Sequence, residues 1–172
     1  MTTETIPCIS LWQPWAWLLV HGHEHPDGKR VENRTWPLPA AMIGRWCLIH
    51  AAKAIKPNER LAAGRVAATL TGWAPRVALA RLTSDTEEFP LGGIVGAVKW
   101  ETCCEVEALF EDDGLGAPPP SIRAWAVGPH CWITSAAKPL PFVSLCGRQG
   151  FWNVPLSSLP DEYQWLKTGG TD

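Results

Sequence analysis

The sequence predicts an α+β fold, a compact β-barrel decorated by helices. Segments with strand character outnumber those with helical character, and the two do not alternate in the regular order of a parallel-sheet protein. Size supports one such unit. The chain has 172 residues, within the roughly 100 to 200 usual for a single core, and shows neither an internal repeat nor a break in composition. It reads as a single domain over 1–172, with its core over about 6–155 and a C-terminal tail over 156–172.

In chain order, PCISLW at 7–12 is a short strand. Pro14 opens PWAWLLVHG, a helix of two to three turns stopped by Gly22. HEHPDG, 23–28, is turn chemistry. KRVENRTW alternates, with Val31, Asn33 and Thr35 on one face and Arg30, Glu32 and Arg34 on the other, which predicts a second strand. GRWCLIHAAK, 44–53, is a third. PNERLAAGRVAATLTGW, 57–73, places apolar residues at helical spacing behind Pro57 and Asn58 and is the longest helix. GGIVGAVKWETCC, 92–104, is a fourth strand whose glycines permit close approach of another backbone. FEDDGLGAPPPS, 110–121, is an acidic, proline-rich surface loop. Residues 130–155 form two further strands broken by prolines, and SLPDEYQWLK adds a last helical turn or two.

Apolar residues make up 46% and charged residues 19% of the chain, which excludes a disordered or fibrous protein. No apolar run approaches the roughly 20 residues of a membrane span, so no membrane partner is expected. MTTETIPCISLWQPW lacks a basic region ahead of its apolar segment and a small-residue cleavage pattern after it, so a cytoplasmic protein is expected. The six cysteines are then expected to be reduced and mostly buried. A formal charge of -2 supplies no global field to draw in nucleic acid, and any anionic partner needs a local cluster. Eleven tryptophans against one tyrosine can serve a core, a stacking platform, or both.

The chemistry concentrates in three places. Lys29 precedes a strand face carrying Arg30, Glu32 and Arg34. Lys and Arg donate to a phosphate or to the acceptor edge of a base, while Glu accepts from an exocyclic amine or moves a proton. That mixture suits a ligand carrying both donors and acceptors, as a nucleobase does. A cross-strand ion-pair ladder on a solvated face is the bland alternative. In QPWAW, Gln13 can read a base edge and Trp15 can stack on it, whereas Trp17 runs into Leu18 and Leu19 and reads as core. His21, His23 and His25 alternate, a spacing that suits zinc or nickel, but no fourth group or rigid frame accompanies them and no metal is assigned.

The stretches ISLWQPWAWLLVHG, KRVENRTWP, GRWCLIHAAK, GGIVGAV, VGPHCWI and PLPFVSLCGRQGFWNVP, in this order over nearly the whole chain, resemble the ASCH domain family of the PUA-like superfamily. The resemblance implies a small β-barrel of five or six strands with helices packed around a cleft. It implies binding of RNA or a nucleic-acid-derived ligand, its base modified or not. It also places the end of the third strand, His50 and Lys53, near the cleft. The late CGRQGFW looks like the family's G-x-x-G-x-W run, which would present Arg148 and Gln149 there above Trp152. The expected ligand-binding set is thus Gln13, Trp15, Lys29, Glu32, Arg34, His50, Lys53, Arg148 and Gln149, with no cofactor. In the family the lysine follows the first helix almost directly, whereas here HEHPDG intervenes between Gly22 and Lys29.

Two activities are implied as alternatives to binding alone. Some small relatives look like N4-acetylcytidine amidohydrolases that use a lysine, a threonine and a glutamate. Aligned on the glycine and lysine, Lys29 keeps the lysine, Arg34 keeps an arginine, and Glu32 stands where the threonine would be, while Thr35 lies on the opposite face. The catalytic pair would be Lys29 and Glu32, with Glu101, Glu105 and Glu107 as choices for the distal glutamate. Desolvation would activate such a lysine, and the neighbouring glutamate would keep it charged. The further alternative is a ribonuclease using His50 or the inserted histidines as acid and base. No protein partner is indicated.

Overall fold

The computed structural model describes residues 4–71, 89–111 and 116–168. Strand β1 (Thr5–Gln13) is buried on both faces through its middle, which explains its nearly continuous apolar run. Ile9 and Leu11 enter one apolar cluster, and Ile6 and Cys8 enter another. Helix α1 (Trp15–Val20) is shorter than the two to three turns expected. Val20 settles on the sheet at Gly96, where a Cβ would stand 3.0 Å from the valine's own Cβ. Strands β2 (Val31–Arg34) and β3 (Trp46–Ile55) follow, then helix α2 (Pro57–Thr71) and strand β4 (Gly93–Glu105). The short helix α3 (Pro120–Arg123) precedes β5 (His130–Ser144) and β6 (Phe151–Pro155). The predicted helical residues 72–73 and part of the predicted loop, 112–115, lie outside the described residues.

The six strands form one mixed sheet in the order β2-β5-β4-β3-β1-β6. β1 runs parallel to β3, and the other neighbours are antiparallel. The sheet rolls over its core. Trp132 on β5 stacks on Phe151 at the start of β6, with ring centroids 5.6 Å apart and planes at 9°, although three strands separate β5 from β6 in the sheet. Trp36, just past β2, sets its ring edge-on to both Trp132 (4.6 Å) and Phe151 (5.9 Å).

The closed barrel expected from the sequence is not formed. β2 and β6 remain edges with no ladder between them among the described residues. A ladder needs strands about 4.8 Å apart, and here aromatic side chains and Arg34 occupy the seam. Arg34 Nη2 reaches from β2 to donate to Ser10 O on β1, at 3.1 Å. Side chains, not backbone pairs, close the curl.

The tail belongs to the core. Leu156, Leu159, Tyr163 and Leu166 are buried together with Ile6, Cys8 and Leu48, so the core extends to Leu166 instead of ending near 155. Residues Asp161–Thr168 form a 3-10 helix, and Tyr163 Oη donates to Pro141 O at 2.6 Å. All six cysteines are free thiols, with Cys8, Cys47 and Cys131 buried and Cys146 exposed. No helix among the described residues is long and apolar enough to cross a membrane.

The fully buried Trp132 also touches Trp100 edge-on at 5.5 Å and donates from Nε1 to Trp36 O at 3.1 Å. Trp132→Ala is expected to cost about 3–5 kcal/mol, measured by urea unfolding. A loss under about 1 kcal/mol would show that the aromatic stack does not hold the sheet in its curl.

Candidate ligand-binding clefts

The inserted segment leaves and rejoins the chain at one point. A Cβ on Gly22 would lie 1.8 Å from Lys29 O, and one on Gly28 would lie 2.2 Å from Gly22 O. Only glycines permit this backbone contact. HEHPDG is therefore looped out, and Lys29 follows α1 much as it would without the insertion. Trp125 Nε1 pins the loop by donating to Asp27 O at 3.0 Å. The three histidines take separate partners. His21 stacks on Trp17 with centroids 4.1 Å apart and contacts Glu24 Oε2 at 2.5 Å. His23 Nε2 meets Thr134 Oγ1 at 3.1 Å, and His25 Nδ1 accepts from Asp27 N at 3.1 Å. Among the described residues, no three His, Cys, Asp or Glu side chains converge to hold a metal ion.

Lys29 is only 2% exposed, so the solvated ladder considered for this strand is not what forms. Its Nζ donates to Val31 O and to Glu32 Oε2, the latter at 3.1 Å. Burial pushes the Lys29 pKa below the usual lysine value, while Glu32 pulls it back. The other carboxylate oxygen, Glu32 Oε1, stands 3.2 Å from Arg34 Nε, an ion pair whose N–H is not aimed at the oxygen.

These three side chains line a cleft of about 280 Å³. Trp12, Trp15 and Trp125 supply its aromatic surface, and Glu59 and Val66 of α2 close it. Trp15 Nε1 donates to Glu59 Oε2 at 2.7 Å, which orients both groups. Trp15 meets Trp125 edge-on at 6.3 Å, and Lys29 Nζ lies 5.8 Å from the Trp15 ring centroid. Asn33 also borders the cleft, but its amide is engaged: Nδ2 donates to Trp125 O, and Oδ1 accepts from Val127 N and Gly128 N. Among the described lining residues two cations, Lys29 and Arg34, face two carboxylates, Glu32 and Glu59, so that this part of the lining is formally neutral.

A second cleft, of about 410 Å³, contains Ser10, His50, Lys53, Cys146, Gly147, Arg148 and Gln149. His50 Nε2 lies 2.9 Å from Leu145 O. A carbonyl only accepts, so Nε2 carries the proton and the neutral ring takes a bond from Ser10 Oγ at Nδ1, 3.0 Å away. Burial lowers the His50 pKa from 6.5, which favours that neutral form.

The expected site is thus divided. Trp15, Lys29, Glu32 and Arg34 gather at the first cleft, and His50, Lys53, Arg148 and Gln149 at the second. Gln13 borders neither. It is fully buried, with Oε1 accepting from Trp17 N and Nε2 donating to Pro90 O, both at 3.0 Å. Glu101, Glu105 and Glu107 are exposed and away from both clefts, and Thr35 is exposed as well. The second carboxylate of the first cleft is Glu59. Nothing local marks Glu59 in the sequence: PNER looks only like a helix start, with no sign that this turn overlies Trp15.

The chain is similar to a crystal structure of ASCH from Zymomonas mobilis, at 16% sequence identity over 94% of this chain and 92% of that one, with a TM-score of 0.45. No family model matches the chain and no curated protein matches it.

Removing Glu32 strands a buried ammonium, whereas removing Lys29 leaves Glu32 still beside Arg34. Glu32→Gln is therefore expected to cost about 3–5 kcal/mol and Lys29→Met distinctly less, in urea unfolding at pH 7. Equal losses would mean that Glu32 does not compensate Lys29. His50 is held neutral in the fold and is free to protonate when unfolded, so stability is full above about pH 6.5 and falls as the pH drops through that value, by at most about 1.4 kcal/mol per pH unit for this group. Unfolding midpoints at pH 7.5 and 5.5 for the parent and His50→Asn check this. An identical drop in both would assign the acid sensitivity elsewhere.

Proposed function

We propose that this chain binds a single nucleobase, carried by RNA or by a nucleoside, in the first cleft. The observation that carries this reading is the union of three indoles with a mixed row of donors and acceptors in a space of about 280 Å³. An indole stacked on a base contributes about 1–3 kcal/mol. Arg34 can donate to a ring nitrogen or carbonyl, and Glu32 and Glu59 can accept from an exocyclic amine. A formally neutral lining suits a neutral base better than a phosphate. The sequence resemblance to ASCH domains points to the same class of ligand. Calorimetric titration with the four ribonucleosides and N4-acetylcytidine tests it. At least one is expected to bind, and Trp15→Ala is expected to weaken it about tenfold or more. Affinities indifferent to both Trp15→Ala and Trp12→Ala would remove the stacking platform.

Burial of Lys29 favours one catalytic reading, hydrolysis of the acetyl group of N4-acetylcytidine. A lysine whose pKa is depressed can accept a proton from the attacking water. Water then adds to the acetyl carbonyl, the C–N bond breaks, and the cytosine amine leaves with a proton as acetate is released. Mass spectrometry of a short RNA carrying one N4-acetylcytidine, with parent protein and Lys29→Ala, decides between activities. Loss of one acetyl group that depends on Lys29 makes the chain an amidohydrolase, and shorter fragments make it a ribonuclease. RNA returned intact eliminates both.

A further inference from the structure

We infer that the second cleft is an anion site that takes the phosphate of the nucleotide whose base occupies the first, so that the preferred ligand is a nucleotide or a base within a strand, not a free nucleoside. This rests on the nucleobase reading above.

The two clefts differ in charge. The first balances two cations against two carboxylates, whereas the second is bordered by Lys53 and Arg148 with no carboxylate among the described lining residues. Neither cation forms an ion pair among the described residues. Two uncompensated cations at one cavity repel each other, and an anion between them relieves that repulsion with charge-assisted hydrogen bonds. The neutral, doubly bonded His50 adds no competing charge at the floor.

The wall carrying Arg148 is anchored. Leu145 O accepts from His50 Nε2 at 2.9 Å and Leu145 N donates to Gly92 O at 3.1 Å. Gly147 then lies directly on the floor of the cleft, where a Cβ would stand 2.4 Å from His50 Cε1 and 2.8 Å from Ser10 Oγ. β6 begins at Phe151. Arg148 therefore hangs on a short loop held on both sides, and little ordering is left for a ligand to impose.

The clefts also adjoin. Leu11 borders the first and Ser10 the second; as neighbours on a strand their side chains face opposite sides of β1, so the clefts meet around its edge beyond Ile9, the last β1 residue paired with β6 among the described residues. Arg34 belongs to the first cleft yet donates to Ser10 O. A base and its own phosphate are separated by one sugar, which matches neighbouring clefts of unlike charge.

The experiment titrates adenosine, cytidine, guanosine and uridine, their 3′- and 5′-monophosphates, and inorganic phosphate into the parent protein, Lys53→Ala and Arg148→Ala. Both residues are exposed, so unchanged unfolding temperatures are expected and confirm intact folds. At least one monophosphate should bind about tenfold tighter than its nucleoside. That gain should vanish in Arg148→Ala and shrink in Lys53→Ala, while nucleoside affinities stay constant. Monophosphates that bind no tighter than nucleosides, or a gain that survives both variants, would overturn the inference and leave the nucleobase reading standing. If no nucleoside binds while monophosphates and inorganic phosphate bind through Arg148, the anion site holds and the nucleobase reading falls. Absence of all binding overturns both.

Discussion

A lysine ammonium withdrawn from water is the constraint around which this site is organised. Burying Lys29 carries a desolvation cost that only close partners can offset, and the chain supplies Val31 O and Glu32 as those partners. Glu32 in turn faces Arg34, Arg34 reaches Ser10 O, Ser10 Oγ bonds His50, and His50 donates to Leu145 O. One polar chain thus runs from the looped-out insertion, through β2, β1 and β3, to the loop before β6. It crosses the seam that the backbone leaves open.

The open seam and the clefts have the same origin. Because the curl of the sheet is closed by Trp36, Trp132, Phe151 and Arg34, its rim offers side chains where a closed barrel would offer paired backbone. Helix α2 then covers that rim with Glu59 and Val66. Indoles on one side and charged groups on the other make a surface with both stacking and hydrogen-bonding capacity, the combination by which proteins hold unstacked bases. The division into a neutral cleft and a basic one gives that surface a polarity suited to a nucleotide.

How far the sequence reveals this depends on how local each cause is. Much of the strand and helix placement follows from local patterning: β3 and β4 lie where apolar runs place them, whereas β5 continues through Pro139 and Pro141, where the sequence predicts a break. Lys29, Glu32 and Arg34 stand out because mixed charges three and two residues apart share a strand and the turn before it. Gln13 misleads because the same amide that could read a base also caps α1 and ties Pro90. Glu59 goes unseen because its significance lies in a contact with Trp15 across 44 residues. The tail looks dispensable until Tyr163 and Leu166 are found beside Cys8 and Leu48.

The sequence by itself determined the α+β class, the approximate placing of most strands, the charged triad and the aromatic supply, because these depend on periodicity, composition and neighbours along the chain. Only the tertiary structure decided that the barrel stays open, that Lys29 is buried, and that the expected site is two clefts of unlike charge. Each of those rests on distances between residues far apart in the chain. Whether a charge is solvated or buried, and which carboxylate faces it, is a property of packing that no local spacing encodes.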